Sequence, residues 1–84
     1  MDKITILGVR VTNRAEKSLE VQNILTMYGC SIRTRLGLND VVEGHCSHAG
    51  IILLELTGDE QEMLRLENAL KAIEGIEVQK MVFA

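Results

Sequence analysis

Three observations predict an α+β fold of order βαββαβ, with four antiparallel strands carrying two helices on one face. Two segments are apolar on both of their alternating sides, two others show helical spacing behind capping signals, and the strand–helix–strand unit occurs twice. At 84 residues there is room for a single core, so residues 1–84 are expected to form one domain.

The elements follow in order. Ile4 and Ile6 fall on one side of the first strand and Leu7, Val9 and Val11 on the other, the pattern of a central strand. Asn13 followed by Glu16 has capping-box spacing, and Val21, Ile24, Leu25 and Tyr28 then recur at helical intervals before Gly29, which predicts a helix over 15–28. Ile32, Thr34, Leu36 and Leu38 alternate with Arg33, Arg35 and Gly37, predicting an edge strand with one buried and one wet face. The polar stretch 39–49 reads as a long connecting loop. Residues 50–57 are again apolar on both sides and hence central. Asp59 with Glu62 repeats the capping signal. Met63, Leu66, Leu70 and Ile73 then form one stripe of a helix that stops before Gly75, and Ile76–Phe83 closes the chain as a strand. Two right-handed crossovers of this kind interleave into the ferredoxin-like sandwich, whose first and third strands are central.

Helices on one face leave the other uncovered, yet the central strands carry aliphatic side chains on both. Several wet branched side chains would cost several kcal/mol, at about 25 cal/mol per Å² of apolar surface, so the economical state is a homodimer or homotetramer built through that face or by edge-to-edge extension of the sheet. The alternative function is an interaction adaptor that contacts a protein partner and binds no ligand.

Composition excludes other classes. No apolar run reaches the roughly 18 residues that a membrane helix needs, and the start leads into a strand rather than a signal peptide, so the expected location is the cytoplasm. Cys30 and Cys46 are too few for a disulfide framework or for an iron–sulfur cluster within one chain. A net charge of −3 and only two aromatic residues, Tyr28 and Phe83, disfavour direct nucleic-acid binding.

Two constellations are candidates for a ligand. His45, Cys46 and His48 bring both histidines and one cysteine within four residues, and imidazole with thiolate suits a transition metal completed across an interface. In an extended segment Cys46 and His48 share a side that His45 does not, so three ligands from one chain would require a turn; the alternative is a solvated loop. Asn13, Arg14, Arg33 and Arg35 form the second constellation, in which guanidinium groups and the amides opening the first helix would hold an anion. The alternative there is that the arginines protect an edge strand and pair with carboxylates. Catalysis is not expected. Cys46 beside His48 lacks a marked orienting group or oxyanion donor, and there is no glycine-rich phosphate loop. Glu55, Glu60, Glu62, Glu67, Glu74 and Glu77 read as helix and strand surface, and Cys30 as buried filler.

The segment Leu25–Ile32 (LTMYGCSI) followed by Arg33 and Arg35 resembles the helix-to-second-strand passage of ACT-type regulatory domains. Thr34–Leu38 (TRLGL), Cys46, Gly50–Gly58 (GIILLELTG), Ile73–Val78 (IEGIEV) and Lys80–Phe83 (KMVF) resemble the small iron-only hydrogenase system regulators over essentially the whole chain. The resemblance implies an ACT-like regulatory or sensing domain, related in shape to the metal-sensing domain of the nickel-responsive regulator. The turn at 12–16 lacks the glycine or proline usual in amino-acid-binding ACT domains. The nickel regulator's histidine-rich ligand pattern is also missing, so neither ligand set carries over.

Overall fold

The computed structural model describes the backbone of residues 3–11, 14–42 and 45–84, and their side chains apart from 14–16, 18, 39–42 and 45–49. The order is β1 (Ile4–Val11), α1 (Arg14–Met27), a 3-10 turn (Gly29–Ser31), β2 (Ile32–Val42), β3 (His45–Leu56), α2 (Glu60–Lys71) and β4 (Ile76–Phe83). The four strands form one sheet in the order β2-β3-β1-β4, and its three pairings are all antiparallel. This is the ferredoxin-like α+β sandwich, with the two strands read as apolar on both sides in the centre.

The core lies between sheet and helices. Leu7, Val9 and Val11 from β1 and Ile52, Leu54 and Leu56 from β3 face it, and Val21, Leu25, Leu66, Leu70 and Ile73 descend from the helical side. Asp59 starts α2 by accepting a hydrogen bond from the Gln61 backbone N–H at 3.0 Å. Glu62 does not complete the expected box; it pairs with Arg65 one turn on. Gly75 takes φ +84°, the left-handed conformation that turns the chain from α2 into β4 and that a side chain disfavours. The first capping signal involves Asn13, which lies outside the described residues.

Two expectations are corrected. Residues 39–42 and 45–49 are not loop: they extend β2 and β3 into one long ribbon, with Val41 opposite Cys46 and Val42 opposite His45. A two-stranded ribbon is held by its backbone ladder and needs no apolar alternation, the signal on which the loop reading relies. β1 accompanies β3 only from Glu55 to Ile51, so the ribbon projects beyond the sheet as an arm and the molecule measures 45 × 23 × 18 Å.

The second correction concerns β2. Ile32 pairs with Leu56 and Thr34 with Glu55, so Arg33 is an extra residue in a β-bulge. A one-residue slip exchanges the faces of a strand. Ile32 therefore packs against the core while Leu36 and Leu38, opposite Leu53 and Ile51, stand on the face away from the helices.

Candidate functional site

The face of the sheet opposite the helices carries most of the exposed large apolar side chains of the described strands. Register places Leu36 beside Leu53, Leu38 beside Ile51, Ile6 beside Met81 and Ile4 beside Phe83. Of these, Leu36, Met81 and Phe83 are more than half exposed, at 53%, 51% and 55%, and Ile4, Leu38 and Ile51 are also exposed. The patch has members on all four strands but falls into two halves, Leu36, Leu38, Ile51 and Leu53 on β2–β3 and Ile4, Ile6, Met81 and Phe83 on β1–β4; Glu55 opposite Ile6, Gly8 and Gln79 opposite Leu53, and the Arg10–Glu77 pair (3.9 Å) opposite Ile51 lie between and beside them. Fully burying a large apolar side chain is worth about 1.5–3 kcal/mol, so six half-wet ones forgo about 5 kcal/mol, comparable with the whole stability of a small domain.

The candidate anion site does not assemble on the described side chains. The Arg33 guanidinium lies 3.8 Å from Glu55 and donates to the Thr57 hydroxyl at 3.5 Å. Arg35 instead reaches across to Gln22 of α1. The bulge separates two residues that regular alternation would have placed side by side, and each has a local partner. Asn13 and the Arg14 side chain lie outside the described residues.

Of the metal candidates the structure describes only the backbone. His45, Cys46 and His48 all lie on the β3 half of the arm, and their side chains are outside the described residues. Among the described residues no group of three or more His, Cys, Asp or Glu is arranged to hold a metal ion. Cys30, expected to be buried, is exposed. The 3-10 turn accounts for this: Ser31 takes the inward place and its carbonyl accepts the Thr57 N–H at 2.8 Å, while Cys30 is turned outward.

Sequence reasoning missed Glu67. Read as surface, it is buried, with one carboxylate oxygen 2.8 Å from Lys71 and the other 3.0 Å from Lys80. The i,i+4 spacing to Lys71 is visible in the sequence; the approach of Lys80 from β4 depends on the sheet. The hydrogen bond from Lys71 is the largest influence on this carboxyl. With Lys80 it holds Glu67 below the usual glutamate range, although burial acts in the opposite direction. A carboxyl depressed in the folded state adds stability that is complete above its unfolded value and is lost as pH falls through the folded one. Glu67→Gln is expected to lower the urea midpoint at neutral pH, by the equivalent of about 2 kcal/mol, and to flatten the acid side of a midpoint-against-pH curve. A variant curve parallel to that of the wild type below pH ~5 would show that this carboxyl is not the source.

No protein-family model matches the chain, and no curated protein matches it. Among solved structures, the uncharacterized protein TM1266 from Thermotoga maritima is similar over 99% of this chain and 100% of its own, with 26% identity and a TM-score of 0.78. A protein from Thermus thermophilus described as PII-like signaling matches 99% of this chain and 91% of its own at 13% identity, with a TM-score of 0.58. SnoaB, a cofactor-independent oxygenase from Streptomyces nogalater, matches 100% of this chain and 93% of its own at 11% identity, with a TM-score of 0.60. The last two likenesses are of fold alone, and the same fold serves a signaling protein and an oxygenase. No helix among the described residues is long and apolar enough to cross a membrane.

Proposed function

We propose that this chain is a non-catalytic, ACT-like regulatory domain that works as a homo-oligomer assembled through its open sheet face. The observation that carries this reading is the apolar patch with members on all four strands, of which Leu36, Met81 and Phe83 are more than half exposed. Its cover is a second copy, because the patch lies on a two-sided sheet and an isologous contact buries it on both partners at once. The resemblance to iron-only hydrogenase system regulators supplies the proposed role. A ligand that binds at an interface and favours one assembly state reports its own concentration, and this is the regulatory mechanism we assign.

The arm carrying His45, Cys46 and His48 is the proposed place for a transition metal shared between copies, since one strand offers too few convergent ligands. The test is light-scattering mass and melting temperature of metal-free protein, then with zinc, nickel or iron(II), beside a His45→Ala, His48→Ala double variant. At a metal concentration ~100 times Kd the wild type gains about 2.7 kcal/mol, a shift of several degrees that the variant lacks. Equal responses of both proteins, or none from either, would remove the metal from the proposal and leave an assembly governed by another ligand or by a protein partner.

A further inference from the structure

A groove of about 320 Å³ lies on the helical side of the sheet, between the start of α2 and the end where β1 begins and β4 finishes. It exists because the helix-facing positions change character there. Leu7, Val9 and Val11 fill the core further along β1, but Thr5 and Lys3 continue the same row, and Lys80 and Val82 do so on β4. Leu56 and Met63 give an apolar floor, and Leu64 and Val82 line it while remaining 51% and 49% exposed. Ion pairs mark its two ends: Lys3–Glu60 at 3.1 Å and Lys80–Glu67 at 3.0 Å. Seven residues of helix set those glutamates about 10 Å apart, the extended length of roughly eight carbons.

The two ends differ. Lys80 is committed to Glu67, which is buried and also held by Lys71. Lys3 and Glu60 are 50% and 72% exposed, and a pair so wet is held weakly. Lys3 is therefore the cation open to a new partner. Glu60, in the first turn of α2, stays favourably placed beside the positive helix end once Lys3 turns away, and the same end favours an anionic head on Lys3 over a second ammonium on Glu60.

We propose that this groove binds a medium-length, straight-chain aliphatic carboxylate, with its head on Lys3 and its chain along Leu56, Met63, Leu64 and Val82. The site stands independently of the assembly proposed above. The experiment is calorimetric titration with hexanoate, heptanoate, octanoate and octylammonium, each as a monomeric solute, against wild type and Lys3→Met, Leu64→Asp and Leu36→Asp variants. The expected result is one saturable site per chain, with affinity rising about fourfold per methylene from hexanoate to octanoate. Lys3→Met should weaken octanoate by about tenfold or more without restoring octylammonium. Leu64→Asp should abolish binding, and Leu36→Asp, on the far face, should leave it intact. Equal binding of octylammonium, loss of binding in Leu36→Asp alone, or no saturable binding would overturn the proposal. A monomeric wild type that still binds octanoate in the groove would instead count only against the assembly.

Discussion

A Leu36→Asp, Met81→Asp double variant should run as a single folded chain at concentrations where the wild type is assembled. The two positions sit on opposite edge strands of the open face, each more than half exposed in the isolated chain. Neither touches the buried core formed by Leu7, Leu54, Leu66 and their neighbours, so a carboxylate there costs the monomer little. In an assembled sheet face the same carboxylates would be buried without partners, a penalty of several kcal/mol that weakens association by about a hundredfold or more. The measurement is mass by light scattering, with far-ultraviolet circular dichroism to show that the sandwich is retained. An unchanged mass with native dichroism would place the contact elsewhere, and the bulge-bearing β2 edge would be the next surface to test.

Leu54→Ala should be the most destabilising single truncation on β3, and its contrast with Ile51→Ala is as informative as its size. Leu54 is fully buried in the core between sheet and helices, whereas Ile51 lies on the open face. Removing a leucine side chain from a closed core costs about 2–5 kcal/mol, through lost burial and the cavity left behind. Against the roughly 5–15 kcal/mol typical of whole proteins, that removes a large share of the stability. Ile51→Ala should cost far less in dilute protein and more as concentration rises, because its burial depends on a second copy. Urea midpoints of both variants at low and high protein concentration check this. Equal, concentration-independent losses would mean that the open face is not covered by self-association.

Much of this architecture is legible in the residues. β1 and β3 take the central places that apolar residues on both of their sides predict, although that pattern does not say that Leu7, Val9, Leu54 and Leu56 are the side facing the helices; Leu66 and Leu70 form the predicted stripe of α2, with Ile73 just past its end. The open apolar face follows from the same reasoning, although alternation alone assigns Leu36 and Leu38 to the buried side of β2 rather than to it. What escapes detection is set by backbone events without a compositional mark. The bulge at Arg33 needs no glycine or proline, yet it moves Leu36 and Leu38 to the open face and separates Arg33 from Arg35. The arm is hidden because a ribbon stabilised by its ladder can be polar on both faces. Glu67 is misread because one of its two cations lies 13 residues away and meets it only after the sheet has formed.

The bulge also bears on how the sheet avoids uncontrolled growth. β2 is an edge strand, and the extra residue together with two exposed arginines disrupts the flat ladder that another chain would need for pairing. In the proposed assembly, contact through the face is made by side chains and closes on itself by symmetry; β4, the other edge of the sheet, carries no bulge.

The most direct test is the mass of the unmodified chain, by sedimentation or light scattering, over roughly a hundredfold range of concentration, with melting temperature recorded at each point. The sheet-face assembly predicts a whole-number multiple of 9.3 kDa at the upper concentrations that falls toward the single-chain mass only on dilution, and a melting temperature that rises with concentration. A mass of 9.3 kDa throughout, with a constant melting temperature, would contradict it.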